Sequence, residues 1–522
     1  MHFDSDLQDL ASLLPKGMLA RAERAQGAAK SGVDEGLARR SFLKLSVASG
    51  FALGVFPQSA LAQEGKQPGP AALKPFDQPG AFVHIAPDGT VTVTINRLEF
   101  GQGVLTALPM ILAEELDADW SKVRAVHGDS DPAYVDPAFG MHLTGGSGSI
   151  KRSYTQYREL GARTRAMLVL AAASQWNVDA ASLRTENGRV LRADGQSIAY
   201  GDLADAAMKA PVPHKVALKD AKNFRLIGKA TNRLDATAKS TGTQSFGMDM
   251  QLPGMLTAVV VHPPVFGARL RSVDDSAARA IAGVKAVIRM PTDRGGEGIA
   301  VVAQGYWAAK QGRDALKLVW DTSAVEKVDS VAQLASYRAL AKKTGLVQFK
   351  ADVSALAKAP KKISAEFTFP YLAHAPMEPL NCTVHVTGQG ADAKATLWLG
   401  TQMPGFDAMA ASKVLGIAPK YIKINVQMAG GGFGRRAVPT ADYVVEACTV
   451  SKMAMAAGLH DPIRVVWSRE DDIKGGYYRP MHVHRAEIGF DAKGKVLAWD
   501  HVVVGQSIAQ GTPFESFMIK DG

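Results

Sequence analysis

The amino-acid sequence predicts an α+β or mixed α/β protein built from several domains. The chain has 522 residues, which is more than one hydrophobic core usually holds. Hydrophobic residues make up 47% of it and charged residues 21%, a balance typical of globular proteins and not of disordered, collagen-like or coiled-coil chains. Strand and helix patterns alternate along the chain without a repeat of fixed period, which favours the mixed class.

The first 62 residues carry the features of an export signal. Arg39 and Arg40 precede a hydrophobic run over residues 45–56, which is too short for an ordinary membrane span. The triplet Ala-Leu-Ala at 60–62 then supplies a small-residue cleavage pattern. Together these features resemble a bacterial twin-arginine signal and imply a periplasmic protein. The alternative is an N-terminal amphipathic helix with a chance arginine pair.

Residues 63–80 are rich in Pro, Gly and Gln and are predicted to form a linker to the segment 81–222. That segment is predicted to begin with a β-hairpin, because residues 81–95 alternate hydrophobic and polar positions around a Pro-Asp-Gly turn. Leucines at 105, 108, 112 and 116 predict one helix, and a second is predicted from about Ser153 to Trp176. Asn187-Gly188 indicates a further hairpin.

Two further segments, 223–330 and 331–522, follow a change in sequence texture. The first contains a predicted strand over Met255–Val261 and a predicted Ala-rich helix near Ser276–Ala282. Residues 323–362 are Lys-rich and predicted helical. Strands and helices then alternate again to the end of the sequence.

Charge and cysteine content exclude several classes of function. The formal net charge is +10 without any block of Lys and Arg, so nucleic-acid binding is not predicted. The two cysteines, Cys382 and Cys448, cannot hold a four-thiolate iron–sulfur cluster or a Cys-rich zinc site. Cys448 lies in an apolar helical pattern and is predicted to be a buried structural thiol. No hydrophobic run after the signal reaches 18 residues, so no membrane span is predicted in the mature chain.

Three glycine-rich loops, each before a predicted helix, are the candidate binding elements. Loop 1 is Phe100-Gly101-Gln102-Gly103, loop 2 is Gly145-Gly146-Ser147-Gly148-Ser149, and loop 3 is Gly430-Gly431-Gly432-Phe433-Gly434-Arg435-Arg436. Glycine lets the main chain approach a ligand closely, and free N–H groups beside a helix N-terminus bind anions. Serine hydroxyls and arginines add donors and charge. The three loops predict one large, multiply anionic ligand; the alternative is that they are ordinary turns.

Several familiar motifs are missing from the sequence. No loop has the phosphate-binding pattern Gly-x-x-x-x-Gly-Lys-Ser/Thr or the dinucleotide pattern Gly-x-Gly-x-x-Gly. The nucleophile elbow Gly-x-Ser-x-Gly and the zinc motif His-Glu-x-x-His do not occur. His482 and His484 alternate on a predicted strand, where a solvated face is favoured over a metal pair. No metal-ligating side chains are predicted.

Two motifs accompany loop 3. Thr401-Gln402-Met403-Pro404 precedes it, Phe433 lies 31 positions after Gln402, and His-Ala-Pro-Met-Glu-Pro occupies 374–379. In combination they resemble the large subunit of the molybdenum hydroxylases, the xanthine oxidase and aldehyde oxidoreductase superfamily. The doublet Arg435-Arg436 looks most like the isoquinoline 1-oxidoreductase β-subunit branch, with its exported aldehyde dehydrogenase relatives.

The resemblance also covers the rest of the chain after the linker. Loops 1 and 2 match segments that lie near the C-terminus in xanthine oxidase, and their N-terminal place here resembles the rearranged order of the isoquinoline branch. Residues 224–290 resemble the family's α/β hammerhead domain. The resemblance therefore implies a molybdopterin-contacting segment at 81–222, a hammerhead domain at 223–330 and an incomplete molybdopterin-binding domain at 331–522.

Site residues follow from the same resemblance. In the family, the glutamine matching Gln402 hydrogen-bonds an oxygen ligand of molybdenum, and Phe433 lies against the metal and its pterin, so these two are the expected catalytic residues. The cofactor is expected to be molybdenum–molybdopterin in its cytosine dinucleotide form. Its expected binding residues are Gly101, Gln102, Gly103, Ser147, Gly148, Ser149, Gln402, Gly431, Gly432, Phe433, Gly434 and Arg435. The plainer alternatives are a surface glutamine, a core phenylalanine and a solvated pair of arginines.

Two departures from the family pattern bear on activity. Ala437 follows Arg436 where xanthine-type enzymes carry a glutamate, which disfavours purine oxidation. The glutamate base of the family, found in a Gly-x-Gly-Glu context, has no match in the sequence. We therefore expect the chain to be an incomplete large subunit.

The first functional hypothesis is a periplasmic molybdenum hydroxylase that oxidises an aldehyde or an N-heteroaromatic compound with oxygen from water. Its electrons would pass to a separate small [2Fe–2S] subunit, with a cytochrome c as a candidate acceptor beyond it. A second hypothesis is a catalytically inactive cofactor-binding protein, because the glutamate base is missing. A third is a secreted hydrolase that uses Ser147 or Ser149.

Overall fold

The structure is a computed structural model that describes residues 73–138, 140–349 and 352–510, together with positions 512, 515 and 519. The predicted export signal and the first part of the predicted linker lie outside the described residues. The helices are α1 Pro79–Phe82, α2 Val104–Leu116, α3 Ser149–Trp176, α4 Tyr200–Lys209, α5 Ala236–Ser240, α6 Ser276–Arg279, α7 Tyr306–Asp314, α8 Ser330–Leu340, α9 Ala355–Lys358, α10 Pro404–Leu415, α11 Asp442–Ala456 and α12 Arg469–Lys474.

The strands form five sheets. Their bounds are β1 Val83–Ile85, β2 Val91–Ile95, β3 Val123–His127, β4 Arg184–Glu186, β5 Arg189–Leu191, β6 Ser197–Ala199, β7 Leu256–Val261, β8 Arg269–Asp274, β9 Val284–Pro291, β10 Glu297–Ala303, β11 Lys317–Asp321, β12 Lys361–Phe369, β13 Asn381–Thr387, β14 Lys394–Leu399, β15 Ile422–Val426, β16 Ile463–Val466, β17 His482–Phe490 and β18 Val496–Gly505. Helices and mainly antiparallel strands thus make up the described chain, and the predicted α+β class is confirmed.

The N-terminal part packs two helices against a small sheet. Strands β1 and β2 form the predicted hairpin, and β2 pairs in parallel with β3. The predicted leucine stripe lies on α2, whose Leu108, Leu112 and Leu116 are fully buried against α3. Helix α3 begins at Ser149, the last residue of loop 2, which is earlier than the sequence predicted. Gly161 permits the close approach of the two helices, since a Cβ there would lie 2.3 Å from the carbonyl oxygen of Leu112.

A seven-stranded sheet with the order β15-β14-β13-β16-β7-β10-β9 forms the centre of the remaining chain. It contains strands from both sides of the predicted boundary at residue 330, because β16 pairs in parallel with β7. Helices α10 and α11 pack against each other, and α11 also covers β13 and β16. The two segments therefore share one sheet, and the domain boundaries stay predictions.

The predicted helical stretch 323–362 is partly wrong. Among the described residues of this stretch, only α8 and α9 are α-helical, and β12 begins at Lys361, two residues earlier than the sequence predicted. Strand β12 pairs along its full length with β17. Strand β17 carries the two predicted strand histidines, and Nδ1 of His484 lies 3.2 Å from Nε2 of His501 on β18.

Both cysteines are buried and free, and burial raises the pKa of each thiol. The prediction of a buried thiol at Cys448 is therefore confirmed. None of the helices in the described residues has the length and the apolar character that crossing a bilayer requires.

Candidate functional site

Main-chain hydrogen bonds bring the stems of the three glycine-rich loops together. Thr144, directly before loop 2, donates its N–H to the carbonyl oxygen of Gln402 at 2.9 Å. Ala429, directly before loop 3, donates its N–H to the carbonyl oxygen of Glu99 at 3.1 Å, and Glu99 directly precedes loop 1. Loops that are more than 300 positions apart in the sequence therefore begin around one point near Gln402.

Loop 3 presents a row of unpaired main-chain N–H groups. Gly431, Phe433 and Gly434 have φ angles of 99°, 55° and 99°, whereas Gly432 between them is not left-handed. In the part of the chain that the structure describes, the N–H groups of residues 431–434 have no acceptor. Such alternation of main-chain conformation creates a concave N–H surface that binds anions.

Phe433 and Gln402 differ from the plainer interpretations of the sequence. Phe433 is 72% exposed and is not a core aromatic, and its left-handed main chain is uncommon for a residue other than glycine. Gln402 is only 4% exposed and is not a surface residue. A Cβ atom at Gly432 would lie 3.6 Å from Oε1 of Gln402 and 3.6 Å from Cδ2 of Phe100, so these side chains border the same glycine face.

The Gln402 side chain is held by loop 2 and leaves one polar atom without a partner. Its Nε2 donates to the carbonyl oxygen of Thr144 at 2.6 Å, which completes a two-way connection between the two residues. Its Oε1 is buried and has no hydrogen-bond donor among the described residues. A buried polar atom without a partner costs about 1–3 kcal/mol, so this atom is a strong candidate for a ligand contact.

Gln402 also lines a small cavity of about 20 Å³, which has room for one water-sized molecule. Its lining includes His127 and His142, and burial lowers the pKa of each to about 4. Both rings are therefore neutral at neutral pH. Nε2 of His127 accepts the N–H of Glu99 at 2.9 Å, which connects the cavity wall to loop 1.

Loop 1 differs from the other two loops because the carboxylate of the preceding residue, Glu99, accepts hydrogen bonds from its N–H groups. Glu99 is fully buried, and it accepts the N–H groups of Gly101, Gly103 and Leu105 at 2.8, 3.2 and 2.9 Å. Burial alone would raise the pKa of Glu99, but these main-chain donors outweigh it and lower the pKa. The N-terminus of α2 therefore already carries an anion of the chain itself.

Gln102 also forms its hydrogen bonds within loop 1. Its Oε1 accepts the N–H of Phe100 at 2.9 Å, and its Nε2 donates to the carbonyl oxygen of Leu98 at 2.6 Å. The side chain shapes the loop, and its contact with a cofactor stays a prediction. Among the residues of loop 1, the phenyl ring of Phe100 is the group that borders Gly432.

Loop 2 leaves the N-terminus of α3 open. No side chain caps this 28-residue helix, and Gly148 occupies the N-cap position. Arg152 folds back over the loop, with Nη2 2.9 Å from the carbonyl oxygen of Gly145 and Nε 2.7 Å from Oδ2 of Asp136. Within the described residues, Ser147 and Ser149 have no hydrogen bond to a histidine, so no nucleophile–base pair supports a serine hydrolase.

The arginines of loop 3 are buried and paired, so the alternative of a solvated pair is wrong. Arg435 forms two hydrogen bonds to Asp442, of 3.0 and 2.6 Å, and its guanidinium lies 5.4 Å from the Trp467 ring centre. Burial opposes its charge, but Asp442 outweighs burial and raises the pKa of Arg435. The Arg435 charge is thus used inside the protein, and a direct contact with the cofactor stays a prediction.

Glu378 anchors loop 3 to the body of the protein. Its carboxylate accepts the N–H of Gly430 at 2.8 Å, the guanidinium of Arg436 at 2.9 Å and the N–H of Met248 at 3.0 Å. Arg436 continues the connection by donating to the carbonyl oxygen of Gly431 at 2.9 Å. These hydrogen bonds of Glu378 and Arg436 fix the entry and the exit of the loop.

Sequence reasoning singled out the motif containing Glu378 but assigned no role to that residue. It also missed Thr144, Asp442 and the internal use of Glu99. For Asp442 the available signal was an acidic residue seven positions after the buried Arg435. For Thr144 it was the position directly before loop 2.

Comparisons with known proteins agree with this arrangement. Two models of the molybdopterin cofactor-binding domain match the chain, over residues 28–259 and 340–519. The isoquinoline 1-oxidoreductase subunit beta of Brevundimonas diminuta is 32% identical, over 90% of this chain and 64% of its own length. The membrane-bound aldehyde dehydrogenase (pyrroloquinoline-quinone) of Gluconacetobacter polyoxogenes is 30% identical, over 93% of this chain and 64% of its own length.

Among solved structures, quinoline 2-oxidoreductase from Pseudomonas putida 86 aligns with 53% of this chain and 39% of its own, at 20% identity and a TM-score of 0.40. The chain spans 64% of the length of each of the two curated relatives named above. The two matched residue ranges contain all three glycine-rich loops and Gln402. The chain belongs to the molybdenum hydroxylase family, as a molybdopterin-binding large subunit.

Proposed function

We propose that this chain is the cofactor-binding part of a periplasmic oxidoreductase that hydroxylates an aldehyde or an N-heteroaromatic substrate with oxygen from water. The observation that carries the proposal is the meeting of Gln402 Oε1, which is buried without a donor, with the unpaired N–H groups of loop 3. The names of the two relatives, an isoquinoline oxidoreductase and an aldehyde dehydrogenase, supply the two substrate classes.

The residues of this site fit an anionic, oxygen-rich pterin cofactor. The N–H groups of residues 431–434 and the uncapped N-terminus of α3 offer main-chain donors from two sides. Gly432 keeps the face between Gln402 and Phe100 free of a side chain. We propose that loop 3 and loop 2 hold the cofactor and that loop 1 supports them. The cofactor, when bound, supplies the oxidation chemistry.

The side chains of the chain have three tasks in this proposal. Gln402 offers a carboxamide that does not titrate, and Thr144 fixes its direction. Phe433 presents an exposed ring that offers an apolar surface to a flat substrate. Glu378 and Arg436 hold loop 3 in the conformation that directs its N–H groups outward.

Analysis of the bound cofactor tests the proposal. The purified protein should contain molybdenum and release a fluorescent pterin, and it should couple aldehyde or heteroaromatic oxidation to dye reduction. A protein that contains pyrroloquinoline quinone, the group in the name of the second relative, and no molybdenum would contradict the proposal. Molybdenum and pterin without any oxidation would instead favour the inactive cofactor-binding protein, which the missing Gly-x-Gly-Glu pattern keeps open.

Three finer points belong to the same proposal. Export would follow the twin-arginine route, for which Arg39-Arg40 is the support.

A separate small [2Fe–2S] subunit would take the electrons, because the two cysteines of this chain cannot hold a four-thiolate cluster. That subunit would pass the electrons to an acceptor such as a cytochrome c. The cofactor would be the cytosine dinucleotide form, whose release of CMP on acid hydrolysis can be measured.

A further inference from the structure

Asp407 is a buried acid that has no task in the site described so far. It lies on α10, five positions after Gln402, and is 4% exposed. Among the described residues it forms no ion pair. Buried carboxyl groups are rare unless they are paired, so its presence calls for a specific partner.

That partner is Thr401, the residue directly before Gln402. The hydroxyl of Thr401 donates to Oδ2 of Asp407 and accepts the N–H of Met403 at 2.9 Å. Thr401 is 1% exposed, so water does not compete for these bonds. Between these two anchors, the N–H of Gln402 donates to the carbonyl oxygen of Arg436 in loop 3 at 3.1 Å.

We propose that Asp407 is a positioning residue that acts through Thr401 to aim the Gln402 carboxamide at loop 3. The carboxyl fixes the Thr401 hydroxyl, and the hydroxyl fixes the main chain on both sides of Gln402. The aim of the carboxamide at a cofactor rests on the function proposed above. The hydrogen-bond chain itself does not.

The charge state of Asp407 adds a measurable signature. Burial raises the pKa of Asp407 to about 7, although the Thr401 hydroxyl opposes this shift. The groups that face it are Asp442, Tyr443 and Cys448 on α11 and Cys382 on β13, and none of them is a cation. An ionised carboxylate accepts the Thr401 hydroxyl more strongly than a neutral one does, so the anchor strengthens as the pH rises through 7.

Four variants separate positioning from simple loss of structure. Thr401→Val removes the hydroxyl and keeps the shape, whereas Thr401→Ser keeps the hydroxyl. Asp407→Asn keeps a side-chain oxygen acceptor and removes the titration. Thr383→Val is the matched control, because Thr383 on β13 is fully buried and its hydroxyl has no partner.

The experiment measures hydrogen exchange of the peptide around Gln402 in the cofactor-free chain, then molybdenum content and kcat in the loaded protein. Thr401→Val should speed exchange and lower kcat by about 10–100-fold at unchanged molybdenum content, as expected for a misplaced catalytic group. Thr401→Ser and Thr383→Val should match the wild type in all three measurements. In Asp407→Asn the step near pH 7 in the protection of this peptide, which is the intrinsic base-catalysed rate divided by the exchange rate at the same pH, should disappear.

Wild-type exchange and kcat in Thr401→Val would overturn the inference, and so would a step in protection near pH 7 that persists in Asp407→Asn. If the wild-type chain binds no molybdenum while Thr401→Val still speeds exchange around Gln402, the anchor is supported and the proposed function is refuted. The cofactor-free measurement therefore distinguishes the two failures.

Discussion

Gln402 is the residue on which most of the proposed chemistry depends. Gln402→Ala removes the carboxamide that faces loop 3, and loss of one such group typically costs about 10²-fold in rate. Molybdenum content should barely change, because main-chain groups of loops 2 and 3 hold the cofactor in our proposal. Gln402→Glu should be at least as harmful, since an ionised carboxylate cannot donate the hydrogen bond to the carbonyl oxygen of Thr144 that holds this side chain.

Steady-state kinetics with metal analysis on the cofactor-loaded protein checks this prediction. Gln156→Ala is the matched control, because Gln156 is also buried but donates to the carbonyl oxygen of Phe76, outside the site. The control should keep its kcat. Near-normal turnover of Gln402→Ala at normal molybdenum content would show that Gln402 does not have this role.

Substitution by alanine is expected to lower stability at one glycine of loop 3 and molybdenum content at another. At Gly430 a Cβ atom would lie 2.5 Å from Cβ of Glu378 and 3.2 Å from its main-chain nitrogen. Gly430→Ala should therefore lower the free energy of unfolding by about 1–3 kcal/mol, since main chain must move. At Gly432 the nearest contacts would be 3.6 Å, so Gly432→Ala should fold normally and lower molybdenum content instead.

Urea unfolding and molybdenum analysis of both alanine variants test this contrast. Equal molybdenum content in Gly432→Ala and wild type would mean that this face does not meet the cofactor. A Gly430→Ala variant of wild-type stability would mean that Glu378 can move away without cost.

At the scale of elements, the partly buried His262 connects the end of β7 to α11. Nε2 of His262 lies 2.6 Å from Oε2 of Glu446 on α11, and Nδ1 lies 3.7 Å from Oδ1 of Asp471 on α12. Burial would lower the pKa of His262, but the two carboxylates outweigh it and raise the pKa to about 10. The folded protein therefore keeps a proton that the unfolded chain releases near pH 6.5.

This shift predicts a pH dependence of stability. The contribution of His262 is complete below about pH 6.5 and is lost as the pH rises through about 10. The free energy of unfolding, measured in urea from pH 6 to 10, should fall less steeply in His262→Gln than in the wild type. His460→Gln is the control, because His460 is exposed, and it should follow the wild-type curve. A wild-type slope in His262→Gln would contradict the prediction.

Local patterns in the sequence predicted the elements better than the contacts between them. The hairpin β1–β2 and the leucine stripe of α2 follow from spacing alone, because alternation and helical periodicity are local properties. The occupation of loop 1 by Glu99 did not follow, since Gly101-Gln102-Gly103 looks the same whether its N–H groups face a ligand or a carboxylate of the chain. The stretch 323–362 was predicted correctly only in part: its Lys-rich composition indicates a helix throughout, but among its described residues only α8 and α9 are α-helical.

At the scale of the whole molecule, the resemblance predicted which loops form the site, and the fold explains how they meet. Gln402 and Phe433 were selected on spacing, and the Gln402 side chain borders Gly432, the residue directly before Phe433. Thr144 and Glu378 were not predicted as site residues because their roles depend on partners that are distant in sequence, such as Gln402 for Thr144 and Met248 for Glu378. The periplasmic location and the iron–sulfur partner stay predictions.

Export is tested in cells by changing Arg39 and Arg40 together to lysine. If residues 1–62 are a twin-arginine signal, the double variant should accumulate as folded precursor in the cytoplasm, because that route requires the arginine pair. Cell fractionation with immunoblotting measures the distribution. A variant with Lys16→Arg and Arg21→Lys is the control for a substitution of one basic residue by another elsewhere in the segment. Efficient export of the double variant would refute the twin-arginine interpretation.

The iron–sulfur partner is tested by purification of the active enzyme through a tag on this chain. A small subunit that contains about two iron atoms per cluster should co-purify, since the [2Fe–2S] type is the one proposed. Iron and molybdenum are then measured on the same sample. An active enzyme that contains molybdenum and no iron would contradict this part of the proposal.

The parallel pairing of β7 with β16 also governs the order in which the protein can fold. Leu256 pairs with Ile463, so one side of β7 stays unpaired until the ribosome has released both strands. At about 5–20 residues per second, the roughly 200 intervening residues take about 10–40 s to synthesise. During that interval the hydrophobic strand Leu-Thr-Ala-Val-Val-Val is an open template for aggregation, so production of this chain should respond strongly to chaperone supply and to slower growth at low temperature.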